Sequence, residues 1–328
     1  MLQPSPPRKR RGRLARSGAA SVALLAVAGY LAVQYVTGGA GAPGCKVASG
    51  KDGRTTTYEF TPEQAVNAAT ITAVGTARGL PERAVTIALA TALQESALRN
   101  LDYGDKDSLG LFQQRPSWGW GTPEEIMDPA YAAGEFYDHL VKVPDYQELP
   151  LTVAAQRVQR SGFPDAYAKH EPDAELLAAA LTGRSAATLT CDGRPGSTTP
   201  RKGPDAVRAA LVREFGHAVL EPAGAEVSDG SGADTGAARS VGASDERTVT
   251  VPVTGGTGAG GERETERRGW QVAHWAVANA SSLHIQRVTY AGREWTAGNT
   301  DSKWSPAGGE GTKGAERAAG PVRITSGW

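Results

Sequence analysis

The sequence predicts a mainly α protein that ends in a small α+β module. Helix signals dominate residues 45–192, where Thr61 and Thr122 each precede a Pro-Glu pair, the pattern of a capped helix start. Strand signals are nearly absent from this segment. After residue 203 the pattern changes, because one helix is followed by alternating strands and five tryptophans. A chain of 328 residues is long enough for two such modules.

The first 36 residues are predicted to export the protein. A basic tail at residues 1–18 precedes an uncharged apolar run at residues 19–36. This run approaches the roughly 20 residues of a membrane-spanning helix, and the positive-inside rule keeps the tail in the cytoplasm and the rest outside. Cleavage as a signal peptide, after the small residues at 40–42, is the alternative. Residues 37–44 are predicted to be a linker.

The charge distribution argues against a nucleic-acid partner. The whole chain is neutral, but after its first sixteen residues it carries 29 basic and 35 acidic side chains, a net charge of −6. A nucleic-acid interface needs a basic face on the folded part. No metal or cofactor is predicted either, since the sequence shows no Cys or His ligand cluster and no phosphate-binding loop.

Two cysteines, Cys45 and Cys191, stand at the two ends of the helical segment. In an exported protein such a pair is expected to form a disulfide that joins the termini of the domain. Closing so long a loop contributes up to about 4–5 kcal/mol in the chain-entropy model. Two unpaired thiols are the alternative.

About five helices are predicted between the cysteines. The first begins at Thr61 and ends at Gly79, and the second begins at Pro81. A third follows Thr122, and two more are predicted in LPLTVAAQRVQRSG and DAELLAAALTG. A linker rich in Gly, Ser, Thr and Pro at residues 193–203 then ends the domain.

The C-terminal α+β module is assigned to residues 204–328. PDAVRAALVREFGHAV and GWQVAHWAVANASSL are predicted helices, IQRVTYAGREWTAG a hairpin and GPVRITSGW a last strand. TVTVPV is a candidate edge strand because Pro252 interrupts it. The stretch around it, about residues 222–266, is predicted to be a disordered insertion. Trp295 and Trp304 are candidates either for packing or for glycan stacking.

Glu95 is the main candidate for chemistry. It lies in IALATALQESAL, where nearly every neighbour is small or apolar, so the helix is predicted to be buried on all sides. Burial raises the pKa of a carboxyl group, and a carboxyl still protonated near neutral pH can protonate a leaving oxygen. A glutamate paired with an arginine or a backbone group in the core is the alternative for this residue taken alone.

A second motif follows one loop later. SLGLFQQRP, at residues 108–116, combines a glycine that allows close backbone approach with two amides that can bind a polar ligand. Together, LQES and LGLFQ resemble the first two motifs of the soluble lytic transglycosylase and goose-type lysozyme group of the lysozyme-like superfamily. The resemblance covers about residues 60–182.

The resemblance implies a lysozyme-like fold and cleavage of the β-1,4 bond between N-acetylmuramic acid and N-acetylglucosamine in peptidoglycan. Glu95 matches the single catalytic acid, and the substrate's own N-acetyl group stabilises the oxocarbenium centre. Attack by the muramyl 6-hydroxyl gives a 1,6-anhydro product, whereas attack by water gives hydrolysis. Substrate binding is then expected at Ser96, at the second motif and beside it: Gly110, Leu111, Phe112, Gln113, Gln114 and Trp118.

The third family motif departs from its usual form. An Ala-Tyr-Asn unit is expected on a later helix, where VAAQRVQRSG has Gln156 and Arg157 at the matching positions. Gln156 and Gln159 are therefore candidates for contact with sugar or peptide, with surface solubility as the alternative. This departure leaves a rival hypothesis, a catalytically inactive module that binds the cell wall as a scaffold.

The acidic loop DYGDKDS offers candidates for a second carboxylate. One of Asp102, Asp105 and Asp107 is a candidate to position an attacking water, and a turn-forming acidic loop is the alternative. The Asp spacing does not match an EF-hand calcium loop. The sequence therefore predicts an exported, membrane-anchored peptidoglycan glycosidase that acts through Glu95.

Overall fold

A computed structural model describes the chain in these stretches: residues 44–51, 54–163, 165–194, 203–221, 246–253, 259–298, 303–308 and 320–327. The predicted basic tail and membrane helix, residues 1–18 and 19–36, lie outside them. Much of the predicted insertion also lies outside. Within these stretches, no helix is both long and apolar enough to cross a membrane.

Helices and two antiparallel sheets build the described part, which confirms the mainly α class with an α+β end. The helices are α1 (Pro62–Ala77), α2 (Glu82–Ser96), α3 (Pro123–Ile126), α4 (Pro129–Leu140), α5 (Leu151–Gln159), α6 (Glu171–Leu181), α7 (Pro204–Phe215), α8 (Ala259–Ala278) and α9 (Ala280–Leu283). The strands are β1 (Cys45–Lys51), β2 (Arg54–Phe60), β3 (Leu189–Cys191), β4 (Thr248–Val251), β5 (Ile285–Tyr290), β6 (Arg293–Thr296), β7 (Ser305–Pro306) and β8 (Val322–Ser326).

Both predicted Thr-Pro-Glu helix starts are confirmed. The Thr61 hydroxyl accepts from the Gln64 N–H at 3.3 Å, and the Gln64 side chain accepts from the Thr61 N–H at 2.7 Å. Thr122 and Glu125 form the same reciprocal pair. Such a capping box satisfies two backbone donors that the first turn would otherwise leave unpaired.

The predicted disulfide is confirmed, and it lies in a sheet that was not predicted. Cys45 and Cys191 are directly opposite each other across β1 and β3 and form an S–S bond of 1.98 Å. β1 also pairs with β2 along its whole length, giving the strand order β2–β1–β3. The sheet therefore joins the start of the helical domain to its end.

The C-terminal sheet follows the sequence prediction closely. Its antiparallel order is β4–β8–β5–β6–β7, so the predicted hairpin is β5–β6 and the last strand is β8. β4, the TVTV part of TVTVPV, is at an edge, as the proline after it indicated. The predicted insertion is interrupted by β4 and includes the first residues of α8, so those parts are ordered.

One hydrophobic core runs through both modules. Helix α8 packs against α1, α6 and β3, and its tryptophans Trp270 and Trp275 are buried. Trp295 and Trp304 are buried as well, and their indole N–H groups donate to the backbone oxygens of Cys191 and Leu189 at 3.1 and 2.9 Å. Neither ring is accessible to a glycan, so the packing interpretation holds for both.

Candidate active site

Helix α2 carries Glu95 out of the core at its last turn. Residues 84–93 are all buried, as predicted, whereas the Glu95 side chain is half-buried. The helix ends directly after the Glu-Ser pair, because Ala97 and Leu98 adopt left-handed φ angles of 52° and 58°. The carboxyl group therefore sits where a rigid, buried helix meets the surface.

Tyr167 holds the carboxyl group of Glu95. Its hydroxyl donates to Glu95 Oε1 at 2.6 Å, and its ring is fully buried. Burial raises the pKa of Glu95 above its ordinary value, and the hydrogen bonds from Tyr167 and Gln159 only partly oppose this rise. Burial, followed by the negative charge of Glu95, raises the pKa of Tyr167 as well, so the phenol stays protonated and remains a donor.

Gln159 links the glutamate to the second motif. Its amide Nε2 donates to the backbone oxygen of Phe112 at 2.7 Å, and its side chain also hydrogen-bonds Glu95. Gln159 is the last residue of α5, so this helix positions the Glu95 carboxyl group and the turn together. The sequence made Gln159 a candidate for contact with sugar. In the structure its side chain instead hydrogen-bonds Phe112 and Glu95 of the protein itself.

A tight turn built from residues 109–114 faces the end of α2. Backbone hydrogen bonds of 2.9 and 3.0 Å join Leu109 and Gln114. Gly110 adopts a φ of +75°, and a Cβ there would lie 2.7 Å from the backbone oxygen of Ile126, so only glycine fits. The Ser96 hydroxyl lies 2.8 Å from the backbone oxygen of Leu111 and joins the turn to α2.

Within this turn, Gln113 is the side chain left for a ligand. Leu111 and Phe112 are completely buried, and Gln114 is buried with its amide donating to the Ala132 oxygen at 3.0 Å. Gln113 is half-buried at a left-handed φ of 48°, and its amide makes only long contacts, at 3.3 and 3.4 Å, to backbone oxygens. The other predicted binding side chains of the turn, Leu111, Phe112 and Gln114, are buried and hold the turn in place.

Asp107 is engaged within its own loop. Its carboxylate accepts from Arg115 Nε at 2.7 Å and from the Ser117 N–H at 2.9 Å. The bonds to Ser117, followed by the bond to Arg115, hold the pKa of Asp107 well below its ordinary range. Asp102 and Asp105 are exposed, and their carboxylates make no hydrogen bond or ion pair with the part of the chain that the structure describes.

Trp118 presents an exposed ring beside this loop. The ring is 57% exposed, and the Arg115 guanidinium carbon lies 4.6 Å from its centroid. Because Arg115 is itself held by Asp107, the ring is fixed by a cation–π contact while most of its surface stays in solvent. The predicted role of Trp118 as a stacking surface is compatible with this exposure.

The tyrosine beside Glu95 was not identified from the sequence. Gln156, which stands at the position expected for the tyrosine, donates instead to the Ser161 oxygen at 2.7 Å, and the hydrogen-bond partners of Glu95 are Tyr167 and Gln159. Tyr167 comes later, just before the 3-10 turn Ala168–His170, in the segment DAYAKH. The Ala-Tyr pair in that segment is the signal in the sequence, but it lies outside the later helix on which the motif was expected.

His170 adds a nearby titratable group. Its Nε2 lies 3.2 Å from Gln94 Oε1, and the ring is half-buried. Burial, followed by the charge of Lys169, lowers the pKa of His170 and so favours its neutral form. Among the residues that the structure describes, no cluster of three or more His, Cys, Asp or Glu side chains could hold a metal ion.

Comparison with known proteins concerns the other end of the chain. Residues 203–317 match a protein-family model described as VldE, C-terminal domain. The match begins at α7 and ends before β8, and it covers about a third of the chain without reaching Glu95. No curated protein matches the chain.

Proposed function

We propose that the chain is a peptidoglycan glycosidase of the lysozyme-like kind, with Glu95 as its single general acid and base. Its substrate is the β-1,4 bond from N-acetylmuramic acid to N-acetylglucosamine. The observation that carries the proposal is the 2.6 Å hydrogen bond from Tyr167 to the Glu95 carboxyl group. A structural glutamate would pair with a cation or a backbone group, whereas this carboxyl group accepts from a neutral, buried side chain at the surface end of a core helix.

The environment of Glu95 suits both halves of the reaction. The raised pKa favours the protonated form, which donates its proton to the bridging oxygen as the glycosidic bond breaks. The hydroxyl of Tyr167 and the amide of Gln159 then stabilise the carboxylate that is left. As a base, this carboxylate takes a proton from the muramyl 6-hydroxyl or from water. The same proton restores the acid form of Glu95 for the next cycle.

The second motif supplies the substrate side of the proposal. Gln113 offers an amide donor and acceptor with no strong internal partner, on a turn fixed to α2 through Ser96 and to α5 through Gln159. Trp118 offers an exposed ring nearby in the chain. Because Asp107 is bound to Arg115 and Ser117, we assign no catalytic role to it.

Digestion of cell-wall sacculi tests the proposal. Full-length protein in detergent is incubated with purified sacculi, and the soluble products are weighed by mass spectrometry. We expect release by the wild type and a loss of at least about a hundredfold in Glu95→Gln, the scale of a general-acid contribution. Glu124→Gln is the matched control, because Glu124 is an exposed carboxylate on α3. Anhydro-muropeptides identify a lytic transglycosylase and reducing ends a lysozyme.

Binding without cleavage would support the inactive scaffold instead. If wild type and Glu95→Gln release equal, negligible amounts while both sediment with sacculi, the enzyme assignment is overturned. The proposal includes export through residues 19–36, with the folded part outside the cytoplasm. Protease added to intact cells should then degrade the part after residue 36, and protection of that part would contradict the orientation.

A further inference from the structure

A separate cavity lies where the helical domain meets the C-terminal module. Its volume is about 640 Å³, and its walls come from the end of α1, the start of α2, the turn after α7 and one side of α8. Glu82 lines it from the first residue of α2, so at 1.5 Å per residue the cavity is about 20 Å from Glu95 at the other end. Cavities of this size at module junctions are common ligand sites.

Most of the charge in this cavity is already neutralised. Glu82 accepts from Arg184 Nε at 2.8 and 2.9 Å, and Glu264 pairs with Arg267 at 2.8 Å. Arg268 also lines the cavity, but it forms no ion pair or hydrogen bond with any residue in the stretches that the structure describes. Among the residues that the structure describes, none is a counter-ion for this guanidinium group, which is exposed to solvent.

The rest of the wall is part apolar and part polar, since Thr76, Gln147 and Thr182 also line it. Leu80, Phe215, Val219 and Val272 contribute aliphatic and aromatic surface, and the amide of Gln271 is engaged with the Thr76 hydroxyl. A free cation beside an apolar wall suits an anion that carries a hydrophobic group. Since Glu82 and Glu264 are paired with arginines, Arg268 leaves one positive charge to be matched, which favours a ligand with a single negative charge over a phosphate dianion.

We propose that this cavity binds a small ligand with one carboxylate and short aliphatic groups. Arg268 holds the carboxylate, since the planar guanidinium fork matches a carboxylate with two parallel hydrogen bonds. The apolar wall holds the aliphatic part. Such a group occurs at the C-terminus of a short peptide and in a free aliphatic acid. The site is independent of the proposed glycosidase and does not require Glu95.

Calorimetric titration of the full-length protein in detergent tests the site. The probes are N-acetyl-alanyl-alanine, the same peptide with a C-terminal amide, and valerate. We expect saturable binding of the free-acid peptide and at least about tenfold weaker binding of the amide, because a hydrogen-bonded charge is removed. Binding of valerate with similar affinity would show that any aliphatic carboxylate suffices, whereas its absence would identify the peptide C-terminus.

Three variants locate the binding. Arg268→Met should weaken binding of the free-acid peptide at least about tenfold. Ala218→Trp, at an exposed position of the wall, should block binding by filling the cavity. Arg208→Met removes the same charge from α7 outside the cavity and should bind like the wild type. The proposal is overturned if no carboxylate probe binds, or if either Arg268→Met or Ala218→Trp binds like the wild type while circular dichroism shows it folded.

Discussion

At the residue scale, the helix that carries Glu95 could be predicted from the sequence. Glu95 stood out because a lone carboxylate interrupts a run of small and apolar residues, and this pattern correctly predicted a buried helix. Tyr167 could not be placed in the same way. It reaches Glu95 from another segment by a tertiary contact, which carries no local periodicity.

Replacement of Tyr167 by phenylalanine tests its role as the partner of the acid. The lost hydrogen bond favoured the charged form of Glu95, so the pKa of Glu95 should rise further and the alkaline limb of the pH–rate profile should move to higher pH. The rate should fall by about 10- to 100-fold, the value of a hydrogen bond to a charged group. The measurement is product release from sacculi across pH. An unchanged alkaline limb would reduce Tyr167 to a packing role.

Gln113 and Gln114 form a matched pair with opposite expected effects. Gln113→Ala should weaken glycan binding and leave the melting temperature nearly unchanged, since its amide makes only long internal contacts. Gln114→Ala should lower the free energy of unfolding by about 1–3 kcal/mol, because the buried Ala132 oxygen loses its donor. Denaturant titration and sedimentation with sacculi measure the two effects. If both variants lost the same amount of glycan binding and of stability, Gln113 would not be the ligand-binding residue and Gln114 would not be the structural one.

At the element scale, helices were predictable wherever capping chemistry marked their starts. Thr61 and Thr122 show the Thr-Pro-Glu pattern, and both form the capping boxes that the pattern indicates. The β1–β2 hairpin was not predicted, although the pair Asp52-Gly53 is a typical hairpin-turn sequence. It separates a run with a valine, CKVASGK, from a run with three threonines, RTTTYEF. The hairpin is stabilised by β3, which comes at the far end of the domain, so its pairing depends on distant residues.

The disulfide should stabilise the β2–β1–β3 sheet, because it joins β1 to β3. Cys45 and Cys191 close a loop with a sequence separation of 146, so their replacement by alanine should lower the free energy of unfolding by about 2–5 kcal/mol. Denaturant titration of the wild type and of the Cys45→Ala/Cys191→Ala variant measures the difference. Reductant should lower the stability of the wild type alone. A variant as stable as the oxidised wild type would show that the strand pairing suffices without the bond.

At the scale of the whole molecule, the sequence predicted two modules and the structure joins them through one core. The composition change near residue 193 marked the end of the helical domain, but it gave no information on how α8 would pack. Trp295 illustrates the difficulty, because its hairpin pattern left both packing and glycan stacking open. Its indole N–H reaches the Cys191 oxygen, a contact that only the assembled fold brings together.

His274 lies where the two modules meet. Its Nδ1 donates to the Ala180 oxygen at the end of α6 at 2.7 Å, and its Nε2 is buried without a partner among the described residues. The rings of Trp270 and Trp304 lie beside it, at centroid distances of 5.4 and 6.0 Å. Burial lowers the pKa of His274 to about 4, which keeps the imidazole neutral in the folded protein.

Acid should therefore weaken the junction of the modules. The unfolded chain binds a proton at His274 below about pH 6.5, whereas the folded chain binds it only below about pH 4. Stability is thus fully present above pH 6.5 and falls through this window, by up to about 3 kcal/mol from this group. Denaturant titrations from pH 7 to 4 should show a shallower pH dependence for His274→Gln than for the wild type. His217→Gln, an exposed control, should keep the wild-type slope, and the same slope in His274→Gln would show that this histidine does not control acid stability.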